Sequence, residues 1–245
     1  MPRTLRTAIA AVALPSIQKQ TIRALARANV TLEAMVSDGH SAVKALQRFR
    51  PDLFLADMQL PGIEGHILAE RVLASRSLPV RPSCIVLHHA EFVLPRRSML
   101  EEAGVIILEK PLTGEALQNA VRMLENAPPF FPESEQKTAD RLLDELGVPN
   151  HIGRSCLRTA ALLCAGDERF RHSLMTRLYP AAGEICGVSA AQAERAMRHA
   201  IGLAWQSNKF ENQYRIFGDT VDAGRGQPTC GEMILRLADI LRLEG

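Results

Sequence analysis

Short apolar runs alternate with helical patterns along the first half of the chain. The runs expected to form strands are LRTAIAAVAL (5–14), VTLEAMV (30–36), DLFLAD (52–57), SCIVLHH (83–89) and VIILE (105–109). Helical spacing of apolar positions is found over residues 16–28, 41–49, 64–75, 96–104 and 113–127. Short apolar strands joined by helices require right-handed crossover connections. The pattern therefore predicts an α/β fold, with a doubly wound, five-stranded parallel sheet and helices on both faces.

The alternation stops at a proline-rich stretch, NAPPFFPESEQ (126–136), which cannot continue a helix. We expect a linker over 127–137, between a first domain at 1–126 and a second at 138–245. The second domain has helical spacing and no strand pattern, which predicts an all-α fold. Its expected helices occupy residues 138–147, 154–166, 168–180, 181–187, 189–205 and 230–244.

A helix-turn-helix motif is predicted at about 181–205, within the second domain. Gly187 suits the left-handed position that ends a helix. Ser189 and Gln192 form the Ser-x-x-Gln pattern of a capping box at the start of the next helix. A short helix, a glycine turn and a longer helix are typical of this DNA-binding motif.

The longer helix of this motif separates small apolar residues from polar ones. Its inner face is mostly alanine, and its outer face carries Gln192, Arg195, Arg198 and His199. Arginine can bind guanine with two hydrogen bonds and glutamine can bind adenine, which favours a recognition helix. A merely solvated amphipathic helix stays open as the alternative, because residues 143–245 carry no net charge.

Composition narrows the class of protein. The chain has 245 residues and a formal net charge of +2, which excludes a polybasic tail. Five scattered cysteines without a CxxC favour free thiols in a reducing compartment, so we expect a cytoplasmic protein without a structural metal. No apolar run reaches the roughly 18 residues that a membrane span requires. Residues 1–32 are basic and acid-free, as in a transit peptide, but the strand-helix pattern argues against that alternative.

Three polar residues end or follow predicted strands: Asp57, His88 and Lys110. Binding sites of parallel sheets lie at the carboxyl ends of the strands, so we expect these residues to lie near one another. A metal site from Cys84, His88 and His89 is an alternative, but adjacent strand residues point to opposite faces and no further ligand is evident.

The chain resembles a known pair of domains. Residues 1–126 resemble the receiver domain of two-component response regulators, and residues 138–245 resemble the DNA-binding domain of the stage 0 sporulation protein A family. The second resemblance is carried by LGVP (146–149), LYP (178–180), ERAMRHAI (194–201), AW (204–205), FGDTV (217–221), PT (228–229) and LRLE (241–244). Together they imply a flavodoxin-like receiver followed by a helix-turn-helix domain, in a transcription regulator that binds double-stranded DNA.

The resemblance also implies roles for residues of the recognition helix. It implies DNA contact by Arg195, Arg198 and His199. Glu194 would accept a hydrogen bond from a cytosine amine or orient a neighbouring arginine. Gln192 stands where we expect a basic residue in the family, which predicts one weaker contact.

The resemblance to receiver domains implies that Asp57 is the phosphoacceptor. The residues expected around it, however, depart from the family pattern. The family holds Mg²⁺ with an acidic pair after the first strand, and here Ala11 and Val12 stand at those positions. His88 replaces the hydroxyl residue that ends the fourth strand, whereas Lys110 is kept. We therefore expect a pseudo-receiver, in which Asp57 pairs with Lys110 and is not phosphorylated by the usual route.

The resemblance further implies a homodimer through helix 4, strand 5 and helix 5 of the receiver, about residues 91–126, and a protein partner in signalling. With no hydrolase triad, phosphate loop or metal motif, we expect no enzymatic activity and no cofactor. Two other functions stay open. One is a phosphorylatable regulator with an atypical site, and the other is a modulator that does not bind DNA but sequesters a kinase, a phosphotransfer protein or a sibling regulator.

Overall fold

A computed structural model describes residues 5–75, 78, 80–207, 209–222 and 224–244. The chain forms two compact units that divide between Phe130 and Phe131.

A five-stranded sheet forms the centre of the first unit. Its strands are β1 (Thr7–Ala11), β2 (Thr31–Val36), β3 (Leu53–Asp57), β4 (Ser83–His88) and β5 (Ile106–Glu109). All neighbouring strands pair in parallel, in the order β2-β1-β3-β4-β5. This is the flavodoxin-like order, and it confirms the predicted fold class.

Five helices cover the two faces of this sheet. They are α1 (Pro15–Arg27), α2 (Gly39–Phe49), α3 (Gly65–Leu73), α4 (Arg97–Glu102) and α5 (Gly114–Asn126). Buried residues of α1 and α5 pack on one face of the sheet, and those of α2, α3 and α4 pack on the other. Because both faces are covered, the central strands are apolar throughout, which explains why their residues read as continuous runs.

The second unit is helical. Its helices are α6 (Glu133–Glu145), α7 (Ile152–Gly166), α8 (Tyr179–Ile185), α9 (Ala190–Trp205), α10 (Phe210–Phe217) and α11 (Cys230–Glu244). They enclose a core of buried side chains in which α7 is central, with its positions from Thr159 to Ala165 all buried. No helix within the described ranges is long and apolar enough to cross a membrane.

Three features of this unit differ from what the sequence led us to expect. The linker predicted over 127–137 ends earlier, because α6 begins at Glu133, where acidic residues of the first turn favour a helix start. The helix predicted over 168–180 is instead a 3-10 turn (Glu168–Phe170) followed by a π-helical turn (Leu174–Leu178) that leads into α8. Helix α10 was not predicted at all.

Candidate functional site

Asp57 lies at the carboxyl end of β3, where its carboxylate is held by two donors. Its Oδ1 accepts hydrogen bonds from Lys110 Nζ at 2.6 Å and from the backbone N–H of Gln59 at 3.0 Å. The side chains are 1% exposed for Asp57 and 2% for Lys110. The structure thus brings Asp57 and Lys110 together as a buried, hydrogen-bonded ion pair.

The backbone around the pair is closely packed. The N–H of Lys110 donates to the carbonyl of His88 at 2.9 Å, and the following peptide bond, to Pro111, is cis. A Cβ at Gly65, the first residue of α3, would lie 2.2 Å from the carbonyl oxygen of Asp57. Only glycine permits this approach, so the start of α3 fixes the end of β3.

The end of β1 places neutral side chains beside Asp57. Ala11 pairs with Ala56, so the next residue, Val12, follows β1 at the level of Asp57. Ala11 and Val12 are fully buried, and the carbonyl of Val12 accepts a 2.7 Å hydrogen bond from the side-chain amide of Gln18. Within the described part of the chain, no group of three or more His, Cys, Asp or Glu side chains is arranged to hold a metal ion.

His88 ends β4 and is 3% exposed. Neither ring nitrogen has a hydrogen-bond partner among the described residues, and Nε2 lies 3.9 Å from Glu109 Oε1. The imidazole is therefore at the predicted edge of the sheet, but it forms no hydrogen bond with the Asp57–Lys110 pair.

The turn of the predicted helix-turn-helix connects α8 to α9. Gly187 has a φ of +72°, as predicted for a left-handed residue. The N–H of Val188 donates to the carbonyl of Gly183 at 2.8 Å, and that of Gly187 donates to the carbonyl of Glu184 at 3.2 Å. These two bonds form a Schellman motif, which ends α8 sharply and directs the chain into α9.

The predicted capping box is present at the start of α9. The N–H of Gln192 donates to Ser189 Oγ at 3.3 Å, and Gln192 Oε1 accepts from the N–H of Ser189 at 2.9 Å. Gln192 is exposed, but its side-chain oxygen is engaged in this cap rather than free for a base.

Buried apolar residues and exposed polar residues lie on different faces of α9, as the sequence predicts. Its buried residues are Ala193, Met197, Ala200, Ile201 and Ala204. Arg195, Arg198 and His199 are exposed. Glu194 is partly buried and forms an ion pair with Arg198 one turn later. Within the described ranges Arg195 has no ion-pair partner. The charge of Arg198 is therefore partly neutralised by Glu194, whereas that of Arg195 is not.

The pair of Glu194 and Arg198 lies beside groups that stay neutral. Burial raises the pKa of Tyr179 to about 12, with contributions from Cys230 and Glu194. Burial also raises the pKa of the Cys230 thiol to about 11, with Arg198 opposing the shift. Neither group ionises near neutral pH, so Glu194 and Arg198 dominate the local charge.

One polar residue next to α9 was not identified from the sequence. His151 is the N-cap residue of α7, and its ring centroid lies 5.8 Å from that of His199 on α9. The sequence gives no clear cap signal at His151, because the preferred N-cap residues are Ser, Thr, Asp and Asn. Its proximity to His199 is not readable from the sequence, because the two lie on different helices.

Several solved structures are similar to parts of the chain. One is the receiver domain of a sensor histidine kinase from Pseudomonas aeruginosa, with a magnesium ion coordinated in its active-site cleft. It has 23% identity, covers 50% of this chain and 98% of its own, and has a TM-score of 0.42. A CheY-like receiver domain from Methylobacillus flagellatus has 18% identity, covers 49% and 99%, and has a TM-score of 0.44. A LuxR-family DNA-binding response regulator from Staphylococcus aureus has 17% identity, covers 50% and 100%, and has a TM-score of 0.42.

Two protein-family models match successive parts of the chain. Residues 14–122 match the response regulator receiver domain, and residues 139–241 match the sporulation initiation factor Spo0A C-terminal domain. The receiver match begins after β1, so Ala11 and Val12 lie outside it. The chain belongs to the response regulators of the Spo0A family, in which a receiver domain is joined to a DNA-binding domain.

Proposed function

We propose that this response regulator is a sequence-specific transcriptional regulator, acting in the cytoplasm, that is not controlled by Mg²⁺-dependent phosphorylation of Asp57. The observation that carries the proposal is the neutral end of β1. Ala11 pairs with Ala56, so alanine and valine stand where a receiver needs carboxylates near the phosphoacceptor.

Phosphoryl transfer to an aspartate creates negative charge that must be compensated. Receivers compensate it with Mg²⁺, and Mg²⁺ is usually held by one or two carboxylates together with waters. Asp57 already bonds Lys110 at 2.6 Å, and among the described residues no group of three or more His, Cys, Asp or Glu could hold a metal ion. The residues present do not fit a Mg²⁺ site, so we assign no step through the metal.

The ion pair has a structural role in this proposal. A carboxylate at 1% exposure needs a counter-charge to remain ionised, and Lys110 supplies it. His88 supplies no hydroxyl to bind a phosphoryl oxygen. The receiver unit would then serve as a platform for association with another protein.

The geometry of α9 supports sequence-specific DNA binding. Arg195 is exposed and without an ion-pair partner in the described ranges, as a base-reading arginine must be. Glu194 pairs with Arg198, which supports the role of orienting an arginine over that of accepting from cytosine. We assign base contact to Arg195 and backbone or base contact to Arg198 and His199.

We further propose that the receiver unit forms a homodimer through α4, β5 and α5. A groove of about 370 Å³ on this face is lined by residues of all three elements, mostly apolar, including Ile106, Met123 and Leu124. Met123 is 65% exposed. An exposed apolar groove across several elements is typical of an association surface, and a second copy of the chain would cover it.

The first prediction concerns phosphorylation. Incubation of the full chain with acetyl phosphate and Mg²⁺ should leave its intact mass unchanged, because nothing beside Asp57 holds the cation. A stoichiometric phosphoryl adduct that disappears in Asp57→Ala would contradict the proposal and favour an atypical but active site.

The second prediction concerns the structural role of the ion pair. Lys110→Met should lower the free energy of unfolding of the receiver unit by about 3–5 kcal/mol, because it leaves Asp57 buried and uncompensated. Adding Asp57→Asn should restore most of the loss. Circular dichroism during urea unfolding measures the free energy of unfolding. Fluorescence of the single tryptophan, Trp205, separately reports unfolding of the second unit. Lys44→Met, at an exposed lysine of α2, is the matched control, and an equal effect in both variants would exclude the role.

The third prediction concerns DNA recognition. A duplex selected from a random pool by the full chain should bind Arg195→Ala more weakly by about 1–3 kcal/mol, with relaxed preference at one base pair. Arg195→Lys should keep the salt dependence and lose the preference, since lysine lacks the paired donors. Arg23→Ala, at an exposed arginine of α1 outside the proposed dimer face, is the control. An equal loss on every sequence would remove the base-reading role, and a pool that yields no selected duplex would favour a modulator that does not bind DNA.

The fourth prediction concerns association. Met123→Asp should weaken self-association of the full chain in sedimentation equilibrium, because it places a charge in the apolar groove. Met175→Asp is the matched control, since its side chain is 66% exposed in the second unit and that of Met123 is 65% exposed. A wild-type chain that is monomeric at all concentrations would contradict the homodimer.

A further inference from the structure

The hydrogen bonding of His151 defines which of its ring nitrogens carries the proton. As the N-cap residue of α7, it accepts a 2.9 Å hydrogen bond at Nδ1 from the backbone N–H of Gly153. An imidazole nitrogen that accepts a hydrogen bond carries no proton. The ring in this cap is therefore neutral and has its proton on Nε2.

The Nε2–H of His151 has no acceptor in the described part of the protein. The atom is buried, and no hydrogen-bond partner is found for it among the described residues. A buried donor without an acceptor is unfavourable, and such groups often mark a functional contact.

The ring of His199 lies beside the ring that carries this donor. The two centroids are 5.8 Å apart, and the ring planes are tilted by 31°. A direct hydrogen bond of about 2.9 Å between two imidazole nitrogens would bring the centroids to roughly 5 Å. A small movement of the exposed His199 ring is enough to close this gap.

The backbones of the two helices are fixed close to this position. A Cβ at Gly153 would lie 2.1 Å from the carbonyl oxygen of Ala196. Ala196 is three residues before His199, on the same face of α9. The start of α7 is thus held against the recognition helix, and the adjacency of the two rings is built into the packing.

We propose that His151 is a positioning residue for DNA binding that acts through His199. Its Nε2–H donates to the near nitrogen of the His199 ring, which keeps that nitrogen unprotonated. The far nitrogen then carries the proton and donates to a DNA backbone phosphate. The inference rests on the proposed DNA-binding function and adds a second residue, on a different helix, to its interface.

The test is a double-mutant cycle in the full chain. His151→Ser and His151→Asn both keep an N-cap acceptor, and both side chains are too short to reach His199. Affinity for the selected duplex is measured by fluorescence anisotropy at two salt concentrations, for these variants, for His199→Ala and for the double variants. His172→Ser, at an exposed histidine of the same unit, is the control.

Each single variant should bind the duplex about three- to tenfold more weakly, as expected for the net loss of one ordinary hydrogen bond. The double variants should bind no more weakly than His199→Ala alone, because His151 acts only through that ring. Nitrogen-15 spectra of the wild-type imidazoles should show His151 protonated at Nε2, and His199 in a single tautomer on DNA that is lost in His151→Ser.

Additive losses in the double variants, or full affinity in both His151 variants, would overturn the inference while leaving DNA binding by the chain intact. Failure of the wild-type chain to bind any selected duplex would overturn the proposed function and this inference together.

Discussion

The carboxyl edge of the sheet in the receiver unit depends on one constraint, the buried ion pair between Asp57 and Lys110. Both side chains are at most 2% exposed, and either charge alone at that depth would be strongly destabilising. The pair joins the ends of β3 and β5, which are separated by β4 in the sheet. Gly65 adds a second restraint by packing the start of α3 against the carbonyl of Asp57. A carboxylate held in this way has its counter-charge without a metal ion.

On the proposed function, this chain keeps a receiver fold without receiver chemistry. The two apolar clusters that cover the sheet contain Ala11 on one face and Val12 on the other, both fully buried. Neutral side chains at these positions cost no desolvation, whereas carboxylates there need a cation. The fold therefore tolerates the replacement, and resemblance of fold alone carries no claim about phosphorylation. On the proposed function, DNA binding by the arginines of α9 is regulated through association of the receiver unit and not through phosphorylation of Asp57.

The sequence predicted features that depend on neighbours in the chain. The sheet followed from alternating runs, and the meeting of Asp57 with Lys110 followed from the rule that parallel strands end at one edge. The capping box of Ser189 and Gln192 is a local pattern and was also predicted. Helix α10 was missed, since two of its aromatic residues, Phe210 and Tyr214, are 64% exposed and blur the apolar stripe. The nearness of His151 to His199 depends on the packing of α7 on α9, which no short window encodes.

Residues 138–245 carry no net charge. This does not argue against the proposed DNA binding, because their charges are unevenly distributed. Many of the arginines in this range are neutralised by acidic partners on other elements or in the next turn. These include Arg141, Arg154, Arg158, Arg169, Arg171, Arg215 and Arg225. On α9 only Arg198 has such a partner in the described ranges, and Arg195 and His199 remain exposed beside it. Affinity for phosphates depends on the local field at the contact, not on the sum over the domain. Ion pairing elsewhere thus leaves α9 with an exposed positive charge in a domain whose charges otherwise balance. On the proposed function, this limits non-specific attraction to DNA and gives base contacts more weight.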